Sequence, residues 1–160
     1  MAAAPELVVS AEDYRYFVER AVRGMAGIIE KLGDGLACVR PELPGANTGY
    51  GLLSHCLGVL TYWGGHLIAG RDVIRDRSAE FEAVGTVADL LIKVDQSLHQ
   101  FELDLAGLLP TAPLRNEPAT WSAGPDRPLN QGAAALHIYE EMAQHHGQLQ
   151  VLRDVLLAGP

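Results

Sequence analysis

The sequence predicts an all-α protein folded as a four-helix bundle. Four long segments repeat apolar residues with the 3.6-residue period of a helix, and no segment shows the alternating pattern of a strand. Joints rich in proline and glycine separate these segments. Because 160 residues suit one domain, we expect residues 1–160 to form a single bundle with a long loop before the last helix.

The first helix is predicted over residues 11–32. Ser10 is placed to cap it, and Asp13 completes the Ser-x-x-Asp pattern of a capping box. Apolar residues recur every three or four positions and define one inward face: Tyr14, Phe17, Val18, Ala21, Met25, Ile28, Ile29 and Leu32. A loop follows over residues 33–47.

The second helix is predicted from about residue 48 to about residue 70. Residues 43–70 contain no Asp, Glu, Lys or Arg, a pattern also found in membrane spans. The same stretch holds histidines, threonines and many glycines, so we expect a helix buried inside the bundle and not in lipid. Some of its glycines, together with one near the end of the chain, suit either a pocket or tight packing: Gly58, Gly64, Gly65 and Gly147.

The remaining elements follow the same pattern. The charged segment 71–84 is predicted as a short helix or an ordered loop. A third helix is predicted over residues 86–109, opened by Thr86 and Asp89. Residues 110–128 contain five prolines and are predicted as a long loop that crosses over or wraps the bundle. The fourth helix is predicted from about residue 130 to about residue 157.

Charge and cysteine usage limit the function classes. The net charge of -8 argues against a nucleic acid or an anionic membrane as a partner. Cys38 and Cys56 lie in no Cys-x-x-Cys or Cys/His spacing, so we expect reduced thiols in a cytoplasmic protein. Residues 1–10 lack the basic region and the long apolar run of a signal peptide.

The fourth helix carries polar residues on its apolar face. His145 occupies a gap in its inward apolar stripe. The stripe consists of Ile138, Met142, Leu149, Leu152 and Leu156. Glu141 lies one turn before His145 on the same side, and His137 lies one further turn back. His146 and Glu140 are expected at the edge of the helix. Glu141 and His145 suit either two ligands of one metal ion or a simple ion pair.

A metal site would need a third ligand from another helix. The third predicted helix offers only His99, which lies off its inner stripe. The second offers His55 and His66, both on its stripe, but they are eleven residues and roughly 16 Å apart and cannot share one ion. Either could instead be a core histidine bonded to a backbone carbonyl. The sequence contains no Glu-x-x-His of di-iron bundles, no His-Glu-x-x-His and no phosphate-binding loop.

Three stretches carry a resemblance to a known family. HCLGVLTYW places Trp63 eight residues after His55, AGRDVIRDRSAEF contains a Gly-Arg and a Glu-Phe pair, and HIYEEMAQHHGQLQVLRD contains Glu-Glu, His, Gly and Leu-Arg-Asp. In these stretches the chain resembles the DinB-like superfamily of metal-binding four-helix bundles. The similarity is to the branch with the N-terminal domain of mycothiol-dependent maleylpyruvate isomerase and related thiol transferases. Gln148 and Gln150 stand where relatives often carry His and Asp.

The resemblance implies a metal site and a reaction. Its ligands carry over onto His55, Glu141 and His145, with a glutamate where many relatives have a third histidine. Such a set leaves one coordination position open, as in catalytic zinc sites, although Ni, Fe or Mn would also be accepted. The implied function is a divalent-metal-dependent transferase that activates a low-molecular-weight thiol, mycothiol, for attack on a small electrophile. A homodimer is also implied.

Two alternatives stay open. The bundle could be a non-catalytic metal-binding or stress-associated protein, or Glu141 and His145 could only pair. Cys56 is not expected to serve as the nucleophile, because adjacent helical residues point apart and it neighbours His55. Arg153 is expected to pair with a neighbour such as Asp154, and the steering of an anionic substrate is the alternative role.

Overall fold

The computed structural model describes residues 7–159. Within that range it contains helices and loops but no strand, which confirms the all-α class. Residues 1–6, most of the segment compared with a signal peptide, lie outside the described residues. The helices are α1 (Ala11–Leu36), α2 (Gly49–Val59), α3 (Arg77–Phe81), α4 (Val87–Leu105) and α5 (Gln131–Ala158), with a π-helical segment (Leu60–Ile68) after α2 and a 3-10 turn (Thr120–Ser122) in the last loop.

Polar side chains fix the starts of the long helices. Ser10 accepts the backbone N–H of Asp13 at 2.9 Å and donates its hydroxyl to the Asp13 carboxylate at 2.7 Å, as the predicted box requires. The four caps are Ser10, Thr48, Thr86 and Asn130. Each satisfies a backbone donor that the first turn of a helix leaves free.

Two helix ends differ from the prediction. α1 continues to Leu36 instead of ending at residue 32, with a break at Gly33, whose φ of 64° is a conformation that favours glycine. α4 ends at Leu105 and not at residue 109, because Gly107 and Pro110 follow and neither supports a continuing helix.

The four long helices pack around one core. α5 packs against α1, α2 and the π-helical segment, and α4 packs against α1 and the π-helical segment. The core contains these fully buried side chains, among others: Val18, Met25, Ile29, Leu52, Leu53, Trp63, Leu90, Phe101, Ile138 and Met142. This packing places α2 beside α5.

The second long helix changes its pitch. Its second half, Leu60–Ile68, is π-helical, and the N–H of Ala69 donates to the carbonyl of Gly64 five residues earlier at 2.9 Å. The predicted location of this helix is right, but a continuous α-helix is wrong. The segment is buried inside the bundle, as expected. Among residues 7–159, no helix is both long enough and apolar enough to cross a bilayer.

Two glycines of α2 let α3 approach closely. α3 is a short helix within the charged segment 71–84 and is capped by Asp76. A Cβ atom at Gly51 would collide with the carbonyl oxygen of Phe81, and one at Gly58 would collide with the carboxylate of Glu80. α3 therefore holds Glu80 and Phe81 directly against α2.

The other glycines named from the sequence differ in their surroundings. Gly64 packs against the Phe101 ring, and Gly65 packs against the Arg71 guanidinium. A Cβ atom at Gly147 would meet nothing within 4 Å. Tight packing, and not a pocket, thus accounts for these glycines of the second helix.

The long loop over residues 106–130 lies across the π-helical segment. The N–H of Arg115 donates to the Leu67 carbonyl at 2.8 Å, and the N–H of Ala119 donates to the Tyr62 hydroxyl at 2.8 Å. The loop therefore wraps one end of the bundle, next to the segment that follows α2.

Candidate metal centre

His55, Glu141 and His145, the ligands that the resemblance implies, lie together between α2 and α5. Each offers one donor atom, and these atoms all lie within 4.8 Å of one another. Oε2 of Glu141 is 3.4 Å from Nε2 of His55 and 3.2 Å from Nε2 of His145. His55 is buried, and the other two side chains are half-buried.

The far nitrogen of each imidazole is already occupied. Nδ1 of His55 donates to Oε2 of Glu80 at 3.0 Å, and Nδ1 of His145 donates to Oε1 of Gln148 at 2.9 Å. A neutral histidine with its proton on Nδ1 presents a lone pair at Nε2. Two imidazole lone pairs and one carboxylate oxygen therefore converge, and a proton or a metal cation is needed to relieve their repulsion.

Two of the three distances between donor atoms fit a small divalent ion. Ligand atoms 2.0–2.2 Å from a tetrahedral zinc are about 3.3–3.6 Å from one another. The distances from the Glu141 oxygen to the two imidazole nitrogens, 3.4 and 3.2 Å, are close to that spacing. Two imidazoles and one carboxylate would leave a fourth position open, so the residues present fit a catalytic type of metal site.

A second layer of side chains holds His55 in place. Arg75, whose side chain is only 3% exposed, donates to both oxygens of Glu80 at 2.7 and 2.9 Å. The Phe81 ring stacks on the imidazole of His55 with the ring centroids 4.3 Å apart. Arg75 also lies over the ring of Tyr62. Glu80, held by Arg75, and Phe81 therefore fix the orientation of His55 together.

The charges of the cluster are strongly coupled. Hydrogen bonds with His145 and His55 hold the pKa of Glu141 well below its usual range, although burial opposes them. Burial alone would lower the pKa of His145, but its hydrogen bonds to Glu141 and Gln148 outweigh burial and raise it. Burial alone would raise the pKa of Glu80, but the hydrogen bonds from His55 and Arg75 lower it. The carboxylates therefore remain ionised.

His137 lies beside the other oxygen of Glu141. Its Nε2 is 3.7 Å from Oε1 of Glu141, and its Nδ1 is 3.1 Å from Oε2 of Glu140. Its buried ring contacts Trp63, with the centroids 4.5 Å apart. Glu140 is exposed and His146 is half-buried, so both lie at the edge of α5, as expected.

His66 and His99 lie outside the cluster. Nδ1 of His66 donates to the carbonyl of Arg71 at 2.8 Å, and its ring stacks on Tyr62. This is the backbone-bonded arrangement left open for His66. His99 is exposed on α4.

The cysteines are both unpaired. Cys56 is fully buried, and its sulfur lies 3.7 Å from the Met25 sulfur. Burial and, secondarily, the charges of Glu141 and Glu80 raise the pKa of its thiol well above the usual value. Arg153 donates to Asp154 at 2.7 Å, as predicted.

One cavity lies at the cluster, and a second lies next to that cavity. A small cavity of about 20 Å³ is lined by His55, Val59, Trp63, Arg75, Arg77, Ser122, Ala123, His137 and Glu141. A larger cavity of about 540 Å³ lies under the loop 106–130 and shares Trp63, Ser122 and Ala123 with the small one. Ala123 has a φ of 53°, which is unusual for a residue with a Cβ atom. We call the larger one the loop cavity.

Arg75 and Glu80 support the site although no sequence pattern predicts a role for them. Their segment alternates charges in a way that usually indicates a solvated surface. Gly58 is the one sequence feature that points to them. A glycine at this position lets the Glu80 carboxylate approach α2 closely.

Comparison with known proteins identifies the family. No curated protein matches the chain. Residues 13–158 match the family model described as Mycothiol-S-transferase, and the match includes all three candidate ligands, α2 and α5. This match confirms the resemblance to the mycothiol-related branch of DinB-like bundles. The chain belongs to the mycothiol S-transferase family.

Proposed function

We propose that this chain is a divalent-metal-dependent transferase that joins a low-molecular-weight thiol, mycothiol, to a small electrophile. The family match supports the thiol and the reaction class. One observation supports the metal: Nε2 of His55, Nε2 of His145 and an oxygen of Glu141 converge, while Glu80 and Gln148 engage the other ring nitrogens. We propose zinc as the ion, and nickel, iron or manganese would suit the same donors.

The protein residues would prepare the site in three ways. His55, Glu141 and His145 would hold the ion, which when bound lowers the pKa of a thiol so that the thiolate is available at neutral pH. Glu80 and Gln148 would keep both imidazoles in the tautomer that presents Nε2. The burial of His55 limits the access of water from the α2 side.

The transfer itself is a substitution at the electrophile. The thiol sulfur forms a bond to the electrophilic carbon, and the leaving group departs with the electron pair of the broken bond. The thiol proton passes to solvent. Cys56 takes no part, because it is fully buried with a raised pKa. We propose the reducing cytoplasm as the compartment, where the thiol co-substrate stays reduced.

Metal content is the first test. Tag-free protein loaded with zinc and passed through a desalting column should retain about one equivalent by mass spectrometry, and His55→Ala should retain far less. His99→Ala is the matched control, because this histidine is exposed and outside the cluster. Loss of zinc in neither variant, or equal loss in both, would contradict the three-ligand site.

Thiol conjugation is the second test. Zinc-loaded protein should accelerate the reaction of mycothiol with monobromobimane above the uncatalysed rate, with release of bromide. The acceleration should disappear in His55→Ala and persist in His99→Ala. Bound zinc without any acceleration would favour a non-catalytic metal-binding bundle.

A further inference from the structure

The small cavity at the cluster is too small for a whole thiol co-substrate. Its volume of about 20 Å³ is close to the space that one water molecule needs. It can therefore admit the reacting sulfur atom but not the rest of the co-substrate molecule. The rest of the molecule must lie in a neighbouring space.

The loop cavity is that neighbouring space. It encloses about 540 Å³ and shares Trp63, Ser122 and Ala123 with the small cavity. A molecule whose sulfur reaches the cluster past these three residues would extend directly under the loop 106–130. The volume falls within the range of sites for small molecules.

The walls of the loop cavity suit an uncharged body rich in hydroxyl groups. Glu117 and Arg127 bring one charge of each sign, and Thr120 and Ser122 bring hydroxyls. Within residues 7–159 neither Glu117 nor Arg127 forms an ion pair. A carboxylate accepts hydrogen bonds from hydroxyls, and a guanidinium donates to them.

The same walls do not suit a peptide thiol. Such a thiol carries two carboxylates, and Arg127 is the single cationic side chain among the residues that line the cavity. Glu117 could pair with the ammonium group of such a thiol and Arg127 with one carboxylate, but the second carboxylate would find no cationic side chain among these residues. The charge pattern thus favours a neutral sugar body over a charged peptide body.

We propose that the loop cavity binds the sugar–inositol portion of the thiol co-substrate, with Glu117 and Arg127 as its hydroxyl-recognising groups. This inference rests on the proposed function, because it takes the thiol to be mycothiol. It makes Glu117 and Arg127 specificity-determining residues that are separate from the metal ligands.

Binding without turnover tests the inference directly. N-acetylglucosaminyl-inositol, which lacks a thiol, should bind the full chain saturably in calorimetry. Glu117→Ala and Arg127→Ala should each weaken binding about tenfold or more, since loss of a charged hydrogen bond costs that much. Arg153→Ala is the control, because Arg153 pairs with Asp154 on α5. No binding by the wild type, or equal weakening by the control, would overturn the inference.

Kinetics separate the two proposals. With monobromobimane, the ratio of kcat/KM for mycothiol to kcat/KM for N-acetylcysteine should fall about tenfold or more in Arg127→Ala. An unchanged ratio would overturn the sugar site, as would glutathione used as efficiently as mycothiol. Binding of N-acetylglucosaminyl-inositol without any conjugation would instead overturn the proposed function and leave the sugar site supported.

Discussion

His55 donates its Nδ1 proton to a Glu80 oxygen 3.0 Å away, and the same carboxylate receives two hydrogen bonds from the buried side chain of Arg75. The Glu80 carboxylate thus neutralises a buried guanidinium and also accepts a hydrogen bond from a candidate metal ligand. A carboxylate behind an imidazole fixes its tautomer and makes its free nitrogen a stronger donor to a metal. Glu80 is therefore a positioning residue for His55.

Glu80→Gln should weaken zinc binding about 10–100-fold, the usual effect of losing such a carboxylate. An amide keeps the shape of the side chain but removes the charge that the imidazole requires. Competition with a chromophoric chelator measures the affinity. Glu82→Gln is the control, since that carboxylate is 74% exposed and only pairs with Arg40. Equal zinc affinity in Glu80→Gln and wild type would show that Glu80 serves only to neutralise Arg75.

Gly58→Ala should lower the free energy of unfolding by about 1–3 kcal/mol, the range for overpacked sites. The new methyl group would collide with the Glu80 carboxylate. Gly147→Ala adds the same group to α5 where nothing lies within 4 Å, and it should instead stabilise the protein by about 0.5–1 kcal/mol. Urea unfolding measures both. If the two variants had the same stability, the close approach of Glu80 to α2 would be contradicted.

Zinc at a hundred times its dissociation constant should stabilise the fold by about 2.7 kcal/mol, because only the folded chain gathers the three ligands. For a chain of this length that corresponds to a rise in Tm of about 5–10 °C. The rise should be absent in His145→Ala and present in His99→Ala. Calorimetry with and without zinc provides the measurement, and an equal rise in both variants would locate the binding elsewhere.

Alkylation should distinguish the two cysteines. Iodoacetamide should modify Cys38, which is half-buried, and should spare the fully buried Cys56 until urea unfolds the chain. Peptide mass spectrometry after a timed reaction gives the modified fraction at each site. Rapid modification of Cys56 in the folded protein would contradict its burial and reopen its candidacy as a nucleophile.

The fold and the three clustered residues could be reached from the sequence for definite reasons. Capping patterns and apolar periodicity fix the helices, and both are local properties of the chain. The gap in the α5 stripe identified His145, and Glu141 followed from the spacing of one turn. The choice of His55 over His66 needed the family resemblance, because both lie on the same stripe.

Other features depend on contacts between distant segments. Arg75 and Glu80 look like surface charges in the sequence, and only the docking of α3 on Gly58 buries them. The apolar pattern of Leu60–Ile68 resembles that of an ordinary α-helix. The π-helical pitch therefore cannot be predicted from that pattern. The loop cavity likewise arises from a proline-rich loop whose course local patterns do not determine.

His55 and Glu141 are separated by 86 positions along the chain, and α5 is synthesised after α1, α2, α3 and α4. The donor set is therefore incomplete on any nascent chain that still lacks α5. An ion bound at this site would crosslink α2 to α5 across these positions, and it would slow the detachment of α5. Metal supply would then govern the lifetime of the folded chain, including its resistance to proteases, as well as its chemistry.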